Sequence, residues 1–427
     1  MSSGVARVEP FAALIFNRAK SGPLEDLVAP PYDLIDAAWQ DRLYARSAYN
    51  VVRLELNRDP DPYASAAATF EQWVSRGILE RIAPAIFLYT QKFKLSGKEF
   101  VRTGLVARIR LEEFAPGRIL PHERTFPKAK EDRLRLLTAL RANTSSIFGL
   151  YPSGNRSLES LIVAVSRRPA MLEVVDELGI LNEVRRIDAP NEVATIQHAL
   201  DSARLLIADG HHRYETALEY RRRMNARDPS HGDSRPDDYV MMTLVAFNDP
   251  GLVILPTHRV VQSLSRDQVA AFKTRIGEKF IVDEFRDASE MLTRLKENGR
   301  GYIGIAVKDC APIMVHLRRP DDIAQALPDA RDEVRNLDVS VLHALIFEEI
   351  LGIDSEMVRG GANLSYTIDA SRALDEVATG TADGAFFLNP PTVYDVEQVS
   401  DAGATMPEKS TYFFPKLLTG LLMNPLA

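Results

Sequence analysis

Four short stretches of the chain gather side chains capable of chemistry. Asp209, Gly210, His211, His212 and Arg213 stand consecutively, with Thr216 just beyond them. Imidazole and guanidinium N–H groups bind phosphate oxygens, arginine as a planar fork, and the glycine lets the backbone turn or approach a ligand. The second stretch, His122, Glu123, Arg124 and Thr125, lies between Pro121 and Pro127 and is followed by Lys128. A carboxylate held between prolines beside an imidazole can act as a positioned general base, which makes Glu123 the candidate base and His122 its companion. Arg124, Thr125 and Lys128 suit a phosphate. The third stretch is Thr257, His258 and Arg259, and the fourth is Lys409, Ser410 and Thr411; both repeat the mixture of cation and hydroxyl. Each stretch also has a plainer reading: a capped helix, a surface loop with a local ion pair, or a packing segment.

Several other chemistries find no support. Adjacent histidines rarely face one ion, and neither an HExxH pattern nor paired cysteines accompany them, so no metal ligands are assigned. Lys409 lacks the preceding glycines of a Walker A loop, and there is no Gly-x-Ser-x-Gly elbow.

The elements that must position these residues follow from the apolar pattern. Residues 205–208 form a short apolar run that predicts a buried strand, broken by Asp209 and Gly210. Tyr214, Ala217, Leu218 and Met224 then recur at helical spacing. A strand, a turn and a helix start therefore meet at the histidines, where a helix offers its first-turn amides and positive dipole end to an anion. Asp209 is placed to cap that helix or to hold a metal. Strands are predicted over 85–95, 103–109, 147–151 and 239–246, and helices over 64–79, 131–141 and 192–203. Pro30 and Pro31 predict a rigid turn before Tyr32 and Asp33. Further on, 301–307 and 312–317 read as a hairpin. Asp338 is expected to cap a helix over 339–351 that ends at Gly352. Residues 385–388 read as a strand, and a final apolar helix is expected near Leu417. Strands and helices intermingle, so the class is α/β or α+β. The expected division is a first region over 1–117, a core over 118–262 and a third region over 263–427.

A chain of 427 residues exceeds one ordinary core, so more than one domain is expected. A net charge of −7 argues against broad nucleic-acid binding, which needs a basic footprint. No apolar run is long enough to predict a membrane span. The single cysteine, Cys310, and an N-terminus without an apolar leader core fit a cytoplasmic protein.

Taken together, the stretches beginning at Val28, Leu120, Ala208, Pro256 and Pro407 resemble a bacterial family catalogued as a domain of unknown function. Within them, the stretch 209–213 is similar to the phosphate-binding motif of the ParB/sulfiredoxin superfamily, and nearest to its free serine kinases (SerK-like). That resemblance implies a ParB/sulfiredoxin-like nucleotide-binding core, with further α/β regions on both sides. It implies that Asp209, Gly210, His211, His212, Arg213 and Thr216 hold ATP or ADP with Mg²⁺, and that Glu123 acts on the hydroxyl of L-serine. The long flanking regions depart from such a core. No cysteine lies in the motif, as a sulfiredoxin would need, and no helix-turn-helix module accompanies it. Two alternatives stay open: a nucleotide sensor without catalysis, and a metal-dependent hydrolase using His122, Glu123, Asp209 and His211. The sequence fixes neither the phosphate donor, the acceptor nor the oligomeric state.

Overall fold

The computed structural model describes residues 8–114, 117–123, 127–228, 235–354 and 363–426. Strands and helices intermingle through a chain of two compact units, as the α/β reading expects. The first unit combines Met1–Pro121, Thr125–Val253 and Pro415–Ala427; the second combines His122–Arg124 with Ile254–Phe414.

The first unit is built on a nine-stranded mixed sheet. From one edge its order is Ile119–Leu120, Leu205–Asp209, Ile147–Tyr151, Tyr239–Ala246, Lys98–Arg110, Ile86–Leu95, Leu181–Ile187 and Leu172–Val175, with Val8–Glu9 pairing to Lys98–Arg110. Leu205–Asp209 runs parallel to Ile119–Leu120 and antiparallel to Ile147–Tyr151. Ile147–Tyr151 in turn runs parallel to Tyr239–Ala246. Leu205, Leu206, Ile207 and Ala208 are all buried, as a strand covered on both faces requires. The helix His211–Arg227 packs Tyr214, Ala217 and Leu218 into the same core, with Met224 partly buried against it. The Tyr214 hydroxyl donates to the Glu112 carbonyl at 2.7 Å and accepts from the Glu112 amide at 3.0 Å, which fixes the helix against the sheet.

The second unit is a six-stranded sheet in the order Phe280–Glu284, Ile313–Leu317, Tyr302–Val307, Gly384–Leu388, His258–Val261 and Leu364–Thr367. Every neighbouring pair is antiparallel. The expected hairpin is present as Tyr302–Val307 against Ile313–Leu317. Its core packs Met291 and Leu295 of the helix Ala288–Asn298, and Ala373 of the helix Ala370–Ala378, on Val260, Ala306, Ala385 and Phe387 of the sheet.

Two sequence expectations are corrected. No helix forms near Leu417. Instead the segment laces along the first unit: Thr419 pairs with Ala29, Met423 with Leu14, and Asn424–Pro425 with Ala142–Asn143. An apolar run with a glycine and a proline can satisfy distant strand edges as readily as its own helix. Gly420 marks the closest approach. Its φ is +85°, and a Cβ there would lie 2.9 Å from the Val51 Cβ. Asp338 is not a cap either. Leu337 occupies the cap position, Asp338–Val341 is a single α-turn, and Leu342–Ile350 is wound as a π-helix with the Leu351 amide reaching the Ile346 carbonyl at 2.9 Å. The Asp338 carboxylate accepts from the Gly301 amide at 2.9 Å. Gly352 does take the left-handed φ of +66° expected after the helix.

Candidate functional site

In the first unit, the strand Leu205–Asp209 delivers Asp209 to the start of the helix His211–Arg227. Gly210 is the cap residue, with φ +95° and ψ +28°, a left-handed turn that costs a glycine little. A Cβ on Gly210 would sit 2.9 Å from the Arg213 guanidinium. The glycine thus lets that side chain fold back over the turn. Asp209 stands one residue before the cap position. Its carboxylate lies 3.6 Å from the Arg213 guanidinium and 3.3 Å from the Lys416 Nζ. Arg213 also donates to the Ser145 hydroxyl at 3.0 Å and the Ser146 carbonyl at 2.7 Å. Its fork is therefore held in one orientation by three protein groups. His211 is buried and His212 is partly exposed on the first turn. Thr216 is buried, with its hydroxyl 3.5 Å from the Lys130 carbonyl.

Lys416 gives this site a cation that the motif reading omits. Its place is fixed by the C-terminal segment: the Gln91 amide donates to its carbonyl at 3.1 Å, and the buried Arg102 guanidinium donates to the Pro415 carbonyl. The signal in the sequence is a lone lysine between Pro415 and two leucines, because a cation in an apolar run needs a partner. Beside Arg213 and Thr216 lies an open recess that also meets Glu55 and Arg133. Arg133 and Glu55 form a buried ion pair at 2.9 Å, joined by the Thr144 hydroxyl. The Arg133 guanidinium stacks 4.1 Å from the centre of the Tyr32 ring. Burial, reinforced by Asp33 and opposed by Arg133, pushes the Tyr32 phenol up to about 12. The Pro30-Pro31 turn therefore serves to seat Tyr32 on that pair.

In the second unit, His122 and Glu123 meet the stretch 406–411. The Met406 amide donates to the His122 carbonyl at 2.8 Å, and Glu123 bridges Met406 as a parallel partner. His122 is completely buried, with Nε2 2.9 Å from the Thr411 hydroxyl, 4.0 Å from the Glu123 carboxylate, and its ring edge-on to Phe413. Glu123 Oε1 accepts from the Lys409 amide at 2.8 Å. That amide is aimed by a left-handed Lys409, φ +55°, a conformation that a non-glycine residue adopts only when its surroundings enforce it. The carboxylate is thus fixed in direction and partly shielded.

Arg259 ties the third stretch to the fourth. Its guanidinium is 1% exposed and donates to the carbonyls of Thr257, Lys409 and Glu408, the latter two at 3.1 and 3.4 Å. Burial lowers its pKa to about 10, against the pull of Tyr366 and Glu123. His258 is packed on Phe387, and its Nδ1 accepts from the Leu388 amide at 3.3 Å. Burial, with Arg259 adding to it, drops its pKa to about 4. It is therefore a neutral sheet residue near pH 7 rather than a cation for phosphate. The Ser410 hydroxyl donates to the Pro407 carbonyl. Arg124 and Thr125 lie outside the described residues, as does the side chain of Lys128. Among the described residues no three His, Cys, Asp or Glu side chains gather as metal ligands, which leaves the hydrolase alternative without a ligand cluster there. Among them, too, no helix is long and apolar enough to cross a membrane.

The model of a family described as a protein of unknown function (DUF1015) matches residues 8–340, so the chain belongs to that family. No curated protein matches the sequence. Solved structures that resemble the chain include a free serine kinase in complex with AMP, at 14% identity and a TM-score of 0.36, over 69% of this chain and 83% of that one. A conserved hypothetical protein from Pyrococcus furiosus matches at 13% identity and TM-score 0.36, over 70% and 89%. SbnI with a C-terminal truncation, from Staphylococcus aureus, matches at 11% identity and TM-score 0.36, over 75% and 87%.

Proposed function

We propose that this member of a family without an assigned activity is a phosphotransferase. It moves a phosphoryl group from a nucleotide, ATP or ADP, to the hydroxyl of a small molecule, with L-serine the first acceptor to test. The observation that carries this reading is the turn at Gly210. A carboxylate with two cations, Arg213 and Lys416, is set there at the start of a long helix. Such a place suits the oxygens of a polyphosphate, because amides, dipole and cations all favour negative charge. Phosphoryl transfer asks a protein mainly for positioning and charge neutralisation, which fixed cations supply.

Glu123 is assigned as the base. The acceptor oxygen forms a bond to phosphorus, the bond from phosphorus to the leaving nucleotide oxygen breaks, and the hydroxyl proton passes to the Glu123 carboxylate. The Lys409 amide holds that carboxylate in one direction, and His122, hydrogen-bonded to Thr411, packs beside it. Mg²⁺ bound with the nucleotide would supply neutralisation of the phosphate charge, and Asp209 is the carboxylate that would hold it.

The deciding experiment incubates the purified protein with Mg-ATP or Mg-ADP and a panel of hydroxylated amino acids, with phosphorylated product followed by mass spectrometry. Formation of O-phosphoserine supports the reading. If no hydroxylated amino acid gains phosphate from either donor, it fails. Nucleotide binding without turnover would then favour a sensor.

A further inference from the structure

A second recess, of about 450 Å³, lies wholly within the second unit and is lined by Thr257, Arg259, Asp338 and Ser410 among others. Its wall carries polar groups with unequal commitments. Arg300 is fully engaged: it pairs with Asp395 at 2.5 Å and donates to the Asn336 carbonyl at 2.9 Å. Asp395 in turn accepts from both the amide and the hydroxyl of Thr392 at 2.8 Å. Asp338 is different. It accepts from the Gly301 amide, while an ionised carboxylate has room for about four donors. Thr257 Oγ1 and Arg259 Nε are buried and have no hydrogen-bond partner. Unpaired buried polar atoms are costly and call for an explanation such as a ligand.

We infer that this recess binds the acceptor as an α-amino acid, with its ammonium on Asp338 and its carboxylate on Thr257 and Arg259. Two unpaired donors suit a carboxylate, and a part-used carboxylate suits an ammonium. Ser410 links the recess to the base, since it follows Lys409, whose amide holds Glu123. The burial that raises the Asp338 pKa to about 6 makes a cationic partner more favourable there. This assignment rests on the phosphotransferase reading for its acceptor, and it adds the group by which that acceptor is chosen.

Calorimetry on the full chain tests it, with L-serine, L-alanine and D-glycerate titrated in the presence and absence of AMP. L-Serine binds, L-alanine binds within tenfold of it, and D-glycerate, which lacks the ammonium, binds at least tenfold more weakly. Asp338→Asn and Thr257→Val each raise the L-serine Kd at least tenfold. Thr257→Ser, which keeps the hydroxyl, restores binding and guards against a folding artefact. Equal affinity for D-glycerate, unchanged binding in Asp338→Asn, or no binding of L-serine under either condition overturns the recess. Phosphorylation of L-serine with an unaltered KM in both variants overturns the recess and leaves phosphotransfer standing. Binding that depends on Asp338, with no acceptor phosphorylated by either donor, does the reverse.

Discussion

In the first unit, charge meets charge: Asp209 faces Arg213 and Lys416, and Glu55 faces Arg133. In the second, several polar groups lining the recess or the sheet beside it meet backbone atoms or no partner. Arg259 spends its guanidinium on backbone carbonyls, His258 is held neutral, Asp338 leans on one amide, and Thr257 Oγ1 has no partner. The difference bears on what each unit can bind. Paired cations at a helix start exchange readily onto a polyanion, whose many charges replace one carboxylate. A wall with a few unpaired polar atoms rewards one small molecule of matching pattern and punishes others, because a buried site built for a hydrogen bond rejects the ligand that lacks it. On the proposed reading, the first unit would take a donor recognised by charge and the second an acceptor recognised by pattern.

The sharpest way to break this contrast is Glu123→Gln. The variant should lose about 10²–10⁴ in turnover while nucleotide affinity holds, as general-base catalysis predicts. Near-normal turnover removes Glu123 from the role. Next comes Asp338. Its folded pKa of about 6 lies above the ordinary 3.8, because burial outweighs the Gly301 amide and Arg300. Stability from this group is therefore present below pH 4 and lost as pH rises through about 6, a loss of about 3 kcal/mol at most. Asp338→Asn should raise the melting temperature at pH 7.5 and leave it nearly unchanged at pH 4; thermal unfolding at the two pH values checks this. A gain at both, or at neither, denies the unpaired character given to the second unit.

Gly210→Ala comes third. A left-handed non-glycine turn costs about 1–2 kcal/mol, and the new Cβ also displaces Arg213, so both stability and nucleotide affinity should fall. If affinity survives, the folded-back Arg213 is not part of the phosphate site. The smallest effect is expected from Lys416→Met, which keeps the packing and removes one of the two cations beside Asp209. Nucleotide affinity should drop about tenfold, with L-serine affinity unchanged. Equal loss of both would erase the distinction between the units.

The local grammar of the fold was legible in the sequence. Ile147–Tyr151 and Tyr239–Ala246 follow from continuous apolar runs, and the Asp209–Gly210 break marks the strand-to-helix turn. What the sequence hid was decided by distance along the chain. The run near Leu417 has the composition of a helix, yet its partners are Ala29, Leu14 and Asn143. Lys416 and Asp209 lie far apart in sequence, so no window contains both. Asp338 has the residue type of a cap, but Gly301 claims its carboxylate first. The candidate stretches were visible as residue types; that Arg259 and His258 are buried is set by tertiary packing, which motif spacing does not encode.

The C-terminal lacing has a consequence for the order of synthesis. The first unit takes its opening strands from the start of the chain and its last ones from Pro415–Ala427, and Lys416 arrives only with that final piece. A ribosome therefore releases every residue of the second unit before it releases the last of the first. The unit begun earliest closes last, and during translation it waits with the edges at Leu14, Ala29 and Asn143 uncovered. Domains usually fold as they emerge. Here the Asp209 site waits for Lys416, and a chain stopped short after the second unit carries the turn without its second cation.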